Sequence, residues 1–118
     1  MAEIERDLPD FETRPGYPHW ILPDGVYSCD EAAFEARFVR DFSQSATRQA
    51  ICEGFFRLRS DSVAHGFSAV QWVDGSFVEN KENPNDVDVV TFIDVERLNN
   101  ASPEARQFVL AVLNGKDS

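Results

Sequence analysis

The run Val87, Val89, Val90, Phe92 and Ile93 is β-branched and aromatic, and it opens on Asp86-Val87-Asp88. Such a run reads as a buried strand. Side chains at i and i+2 of a strand share a side, so Asp86 and Asp88 are expected to project together from its start. Two neighbouring carboxylates repel each other unless a cation lies between them. Oxygen-only ligands suit Mg2+ or Mn2+, and Mg2+ completes its shell with water and substrate phosphates. Upstream, Ala69-Val70-Gln71-Trp72-Val73 reads as a second strand that ends at Gly75-Ser76. Glycine lets a backbone approach a phosphate closely. The N–H groups of such a turn, with the Ser76 hydroxyl, form a cradle for one. Each half is ordinary alone: Asp-x-Asp is common at strand edges, and Gly-Ser is a turn. Their order and spacing make the composite specific.

The rest of the chain reads as helices around these strands. Residues 1–19 are acidic and hold Pro9, Pro15, Gly16 and Pro18, which predicts a flexible acidic arm. Residues 20–118 then form one domain, with Trp20, Ile21 and Leu22 anchoring its start. Ser28 and Glu31 are spaced as a capping box, and Phe34, Phe38 and Phe42 line one face of the helix that follows. A second helix is expected from about Ala46 to Arg59, with Ala50, Ile51, Gly54, Phe55 and Leu58 inward. A final helix spans 101–115, with Ser102 as N-cap, Pro103 in its first turn, Ala105, Phe108, Val109 and Val112 at helical spacing, and Gly115 as its stop. Cys29 and Cys52 fall in the helical segments and read as buried thiols, not a disulfide framework.

Composition narrows the class. Ten Phe residues and 42% hydrophobic content support a real core. No apolar stretch nears the roughly 18 residues of a membrane span. No secretory signal opens the chain, so a cytoplasmic protein is expected. A net charge of −10 opposes extended nucleic acid, whose phosphates call for Lys and Arg. It does not oppose a nucleotide held through metal. Lys81 lies between the two motifs, where it reaches either a phosphate or solvent.

These motifs carry a resemblance. Trp72-Val73-Asp74-Gly75-Ser76-Phe77-Val78, Lys81, Pro84 and Asp86-Val87-Asp88-Val89-Val90 resemble the signature of the polymerase-β-like nucleotidyltransferase superfamily. In detail they look like a small, poorly characterised bacterial nucleotidyltransferase-like family. Leu22-Pro23-Asp24-Gly25-Val26-Tyr27, Phe34 and Arg37-Phe38 are similar to that family's N-terminal phrase, so the likeness covers roughly residues 20–95. Asp74 replaces the apolar residue usual in the wider superfamily.

The resemblance implies an α+β fold, a minimal mixed sheet with packed helices. It implies transfer of a nucleoside monophosphate from a nucleoside triphosphate to a protein or small-molecule hydroxyl. Carried over by position, Gly75 and Ser76 hold the triphosphate, and Asp86 and Asp88 are catalytic and bind Mg2+ or Mn2+; Lys81 is a nucleotide-binding candidate by its place between the motifs alone. It also implies a third carboxylate on a later strand, but a helix follows instead. Asp94 lies six residues beyond Asp88, roughly 20 Å away along a strand. The last strand therefore reads as lacking, whether by truncation, by loss, or because a partner supplies the ligand. The alternative is a non-catalytic binding or regulatory module, for example one half of a toxin–antitoxin or defence pair.

Overall fold

The computed structural model describes residues 8–67 and 70–113. It is a small α+β structure, with helices α1 (Glu31–Glu35), α2 (Arg48–Ala64), α3 (Val95–Asn99) and α4 (Pro103–Phe108). Strands β1 (Gln71–Asp74) and β2 (Asp88–Thr91) pair as a two-stranded sheet. The pairing is antiparallel; the Gln71 side-chain Nε2 donates to the Thr91 hydroxyl (2.9 Å), and Phe92 N–H donates to the Val70 carbonyl (3.4 Å). The chain forms two compact units, residues 1–54 with 73–88, and 55–72 with 89–118.

The first unit is built on aromatic rings. Asp30, not Ser28, caps α1, its carboxylate accepting from Ala33 N–H at 2.8 Å. Asp30 stands three residues before Ala33, where a capping side chain reaches the free N–H of the first turn. Cys29 consequently precedes the helix. α1 widens into a π-helical turn over Ala36–Arg40, where Asp41 N–H donates to the Ala36 carbonyl at 3.0 Å. Phe42 thus falls beyond the helix, half-buried. The Phe34 and Phe77 rings stack at 5.7 Å, Phe34 meets Phe38 at 5.1 Å, and Phe11 meets Phe38 and Phe42 at 6.3 Å. Burying each such ring contributes about 2–3 kcal/mol, and each aromatic pair about 1 kcal/mol more. Residues 8–21 join this cluster. The Arg37 guanidinium forks onto the Leu8 and Pro9 carbonyls, both at 2.6 Å. Glu12 and Ile21 form an antiparallel bridge. Ile21 is buried, whereas Trp20 is exposed.

In the second unit, Phe67, Ala105 and Phe108 form a core against which Leu58, Ile93, Leu98, Ala101 and Val109 pack. α4 starts as its sequence predicts: Ser102 accepts from Ala105 N–H at 3.1 Å and Pro103 opens the helix. The Val112 side chain, Ala69, Gly115 and Asp117 lie outside the described residues. Val95–Asn99 form α3, a helix not predicted from sequence, with Asp94 capping Glu96 N–H at 2.8 Å. On α2, which runs five residues past Arg59, Ala50 is exposed and Phe55 is buried. The strands are not buried as expected: Val70, Trp72, Val90 and Phe92 are exposed, Val87, Val89 and Ile93 are half-buried, and the Trp72 and Phe92 rings meet edge to face at 5.4 Å. Among the described residues no helix is long and apolar enough to cross a membrane.

Candidate functional site

The geometry of Gly75 is the centre of the site. β1 ends at Asp74, and Gly75 turns the chain at φ 88° into a 3-10 turn over Ser76–Val78. That φ is open to glycine and strained for residues with a Cβ. Val78 N–H donates to the Gly75 carbonyl at 3.2 Å and Glu79 N–H to the Ser76 carbonyl at 3.1 Å, closing the turn. The Asp74 carboxylate accepts from Gly75 N–H at 2.8 Å, so this one donor of the expected phosphate cradle is already engaged.

Asp88 reaches the same turn. A Cβ placed on Gly75 would stand 2.5 Å from Asp88 Oδ2 and 3.1 Å from its Cγ. The carboxylate therefore fills the space that glycine leaves, and the Gly-Ser turn and the Asp-x-Asp strand meet side by side. Twelve positions of chain separate them, and antiparallel pairing of β1 with β2 brings them together.

Asp86 is placed differently from the expectation. β2 begins at Asp88, so Asp86 lies in the preceding irregular segment, and strand alternation does not dictate its direction. Pro84 two residues earlier explains this, because it lacks the N–H a sheet ladder needs; its ring is fully buried. Asp86 and Asp88 are both exposed, and Ser76 and Lys81 are half-buried. The Lys81 backbone is fixed, its N–H donating to the Glu79 carbonyl at 2.8 Å. Asp94, Glu96 and Glu104 sit at the starts of α3 and α4.

Arg48 is the residue that sequence reasoning missed. It opens α2, and its guanidinium is fully buried. Nη1 donates to the Phe38 carbonyl at 2.8 Å and the Phe77 carbonyl at 2.6 Å. Nη2 donates to the Glu79 carbonyl at 2.8 Å and the Lys81 carbonyl at 2.7 Å, and Nε adds a 3.1 Å bond to Lys81. The Phe42 ring lies 3.7 Å from the guanidinium carbon and the Phe77 ring 4.8 Å. Burial pushes its pKa down to about 10, which leaves it cationic at neutral pH. Nearby, Asn83 Oδ1 accepts from Ala46 N–H at 2.7 Å, tying the same segment to the start of α2. An arginine within a polar helix start carries no sequence signal for this; the carbonyls it binds are invisible in residue types.

Oxygen donors at a glycine turn fit a hard divalent cation that keeps water and phosphate ligands. Asp88, at the turn, and Asp86, two residues before it, supply carboxylates of that type. A different depression, open and about 510 Å³, lies in the second unit beside His65, Asp94, Arg97, Asn100 and Ser102. Four of its polar side chains hold structure: Asp94 and Ser102 cap helices, Arg97 donates to the Gly66 carbonyl at 2.9 Å, and Asn100 donates to the Glu96 carbonyl at 3.0 Å.

Among protein families, one described as a family of unknown function (DUF6932) matches residues 15–117, and the chain belongs to it. No curated protein and no solved structure matches.

Proposed function

We propose that this member of the DUF6932 family is a metal-dependent nucleotidyltransferase domain, transferring a nucleoside monophosphate from a triphosphate to a protein or small-molecule hydroxyl. The observation that carries the reading is the packing of the Asp88 carboxylate onto Gly75. Two motifs that resemble the polymerase-β-like signature thereby occupy one place. In this reading the Ser76 hydroxyl and N–H hold the triphosphate at the Gly75 turn, the Gly75 N–H being engaged by Asp74, with Lys81 beside it. Asp86 and Asp88 hold Mg2+ or Mn2+. When bound, such a cation offsets the charge that develops as pyrophosphate leaves. The acceptor oxygen forms a bond to the α-phosphorus, the bond from that phosphorus to the bridging oxygen breaks, and the hydroxyl proton passes to solvent or a carboxylate. A cytoplasmic setting, where triphosphates are supplied, belongs to the same reading.

The second reading is a non-catalytic module, such as one half of a toxin–antitoxin or defence pair, which keeps the metal–triphosphate site without transfer.

The test is thermal unfolding with Mn2+ and each of the four ribonucleoside triphosphates. At a hundredfold excess over the dissociation constant, binding to the folded state adds about 2.7 kcal/mol. The shift is expected for the native chain and lost in Asp88→Asn. Label transfer from α-labelled triphosphate to protein acceptors then separates the two readings: Asp88-dependent transfer supports the enzyme, and binding without transfer supports the module. A shift that persists in Asp86→Asn/Asp88→Asn would place the site elsewhere.

A further inference from the structure

We propose that Arg48 is a positioning residue that sets the shape of the segment joining the Gly75-Ser76 turn to Asp86 and Asp88, and through it the site's affinity for a metal–triphosphate. The affinity clause rests on the nucleotidyltransferase reading; the ordering of the segment does not.

The segment 77–81 has no strand or long helix to hold it. Its carbonyls at alternate positions, Phe77, Glu79 and Lys81, instead converge on one guanidinium. The Phe38 carbonyl ties that guanidinium to the π-helical turn after α1. Among the described residues no carboxylate ion pair is formed by it, so its hydrogen bonds go to main-chain carbonyls, with the Phe42 and Phe77 rings against the guanidinium. A planar guanidinium presents five N–H donors in a rigid fork. Lysine, with three donors on a point charge, cannot span these four carbonyls. Two other contacts anchor the segment, Asn80 N–H to the Trp20 carbonyl at 2.8 Å and Asn83 to Ala46 at 2.7 Å. They leave the Phe77 and Lys81 carbonyls to Arg48, which shares the Glu79 carbonyl with Lys81 N–H at 2.8 Å. Ser76 lies one residue before the first carbonyl that Arg48 holds, so loosening the fork frees the turn to shift.

Arg37 is the matched control. It also forks onto two main-chain carbonyls, Leu8 and Pro9, and neither bond reaches residues 75–88. The experiment compares Arg48→Lys with Arg37→Lys at a temperature where both are folded. Mn2+ with each triphosphate is titrated calorimetrically, and amide exchange is followed at Val78, Glu79 and Lys81. The expected result is at least a tenfold loss of affinity and faster exchange in Arg48→Lys, with both unchanged in Arg37→Lys. Native affinity and native exchange in Arg48→Lys would overturn the proposal, as would equal losses in both variants. If the native chain binds no triphosphate, the nucleotidyltransferase reading fails. Exchange at the three amides then decides alone whether Arg48 orders the segment. If Arg48→Lys does not fold, Phe42→Leu takes its place. It removes the ring 3.7 Å from the guanidinium, and a threefold loss of affinity is expected. Unchanged affinity and exchange in that variant would overturn the proposal.

Discussion

Gly75 and Asp88 depend on each other at the level of single atoms. The glycine adopts φ 88°, and the aspartate oxygen sits where a side chain would begin, 2.5 Å from an added Cβ. Gly75→Ala is therefore expected to cost about 1–3 kcal/mol, from the strained backbone and the displaced carboxylate. Chemical denaturation should show a smaller cost in an Asp88→Ala background, with a coupling of roughly 0.5–2 kcal/mol. Additive costs would mean the carboxylate leaves the turn freely in solution. Sequence alone read this glycine as letting a phosphate approach the backbone closely. The carboxylate of Asp88 is what approaches, and sheet pairing rather than residue type brings it there.

Among the elements, capping separates what was legible from what was not. The Ser102-Pro103 start of α4 was readable because both signals act within one turn of chain. At α1 two candidate caps compete, Ser28 and Asp30, and the hydrogen bond goes to Asp30. Asp30→Ala is expected to lower stability by about 1 kcal/mol and Ser28→Ala by a few tenths at most. Equal losses in urea titrations would reassign the cap. The π-helical turn that follows was not readable: it inserts an extra residue per turn, and the 3.6-residue period that placed Phe42 on the helix ends before it. The strand bounds moved for a comparable reason. Alternation predicted that Asp86 and Asp88 share a strand face, but the buried Pro84 and the bend after it delay β2 until Asp88.

Across the whole molecule, charge and titration act on global stability. Residues 1–54 and 73–88 hold sixteen acidic side chains against six basic, while 55–72 and 89–118 hold five of each. The unit with the Gly75 turn therefore carries the entire net charge of −10, which favours a divalent cation over a bare polyphosphate. The same surroundings act on Cys52. Burial, aided by Glu35, Glu31 and Glu53, pushes its thiol up from 9.0 to about 11. The folded chain thus keeps a proton that the unfolded chain releases, and its contribution is present below pH 9 and lost as pH rises through about 11. Unfolding free energy should fall by on the order of 2 kcal/mol across that window. Cys52→Ala should flatten the fall when the two pH profiles are compared. A profile unchanged by the substitution would locate the titrating group elsewhere.

By itself the sequence determined the class of the fold and its local punctuation. An aromatic-rich chain with helical periodicity and two short β-branched runs makes helices and strands, and side chains within one turn of a helix end cap it. Turn chemistry at Gly75 and the presence of Asp88 were likewise written in residue types. The tertiary structure decided what no local pattern encodes. Antiparallel pairing set Asp88 onto Gly75, and the early bend kept Asp86 off the strand. Arg48 reached the carbonyls of Phe38, Phe77, Glu79 and Lys81, up to 33 residues away. Carbonyls belong to every residue alike. Which of them meet a given side chain depends on how the chain is folded back, and only packing in three dimensions selects that.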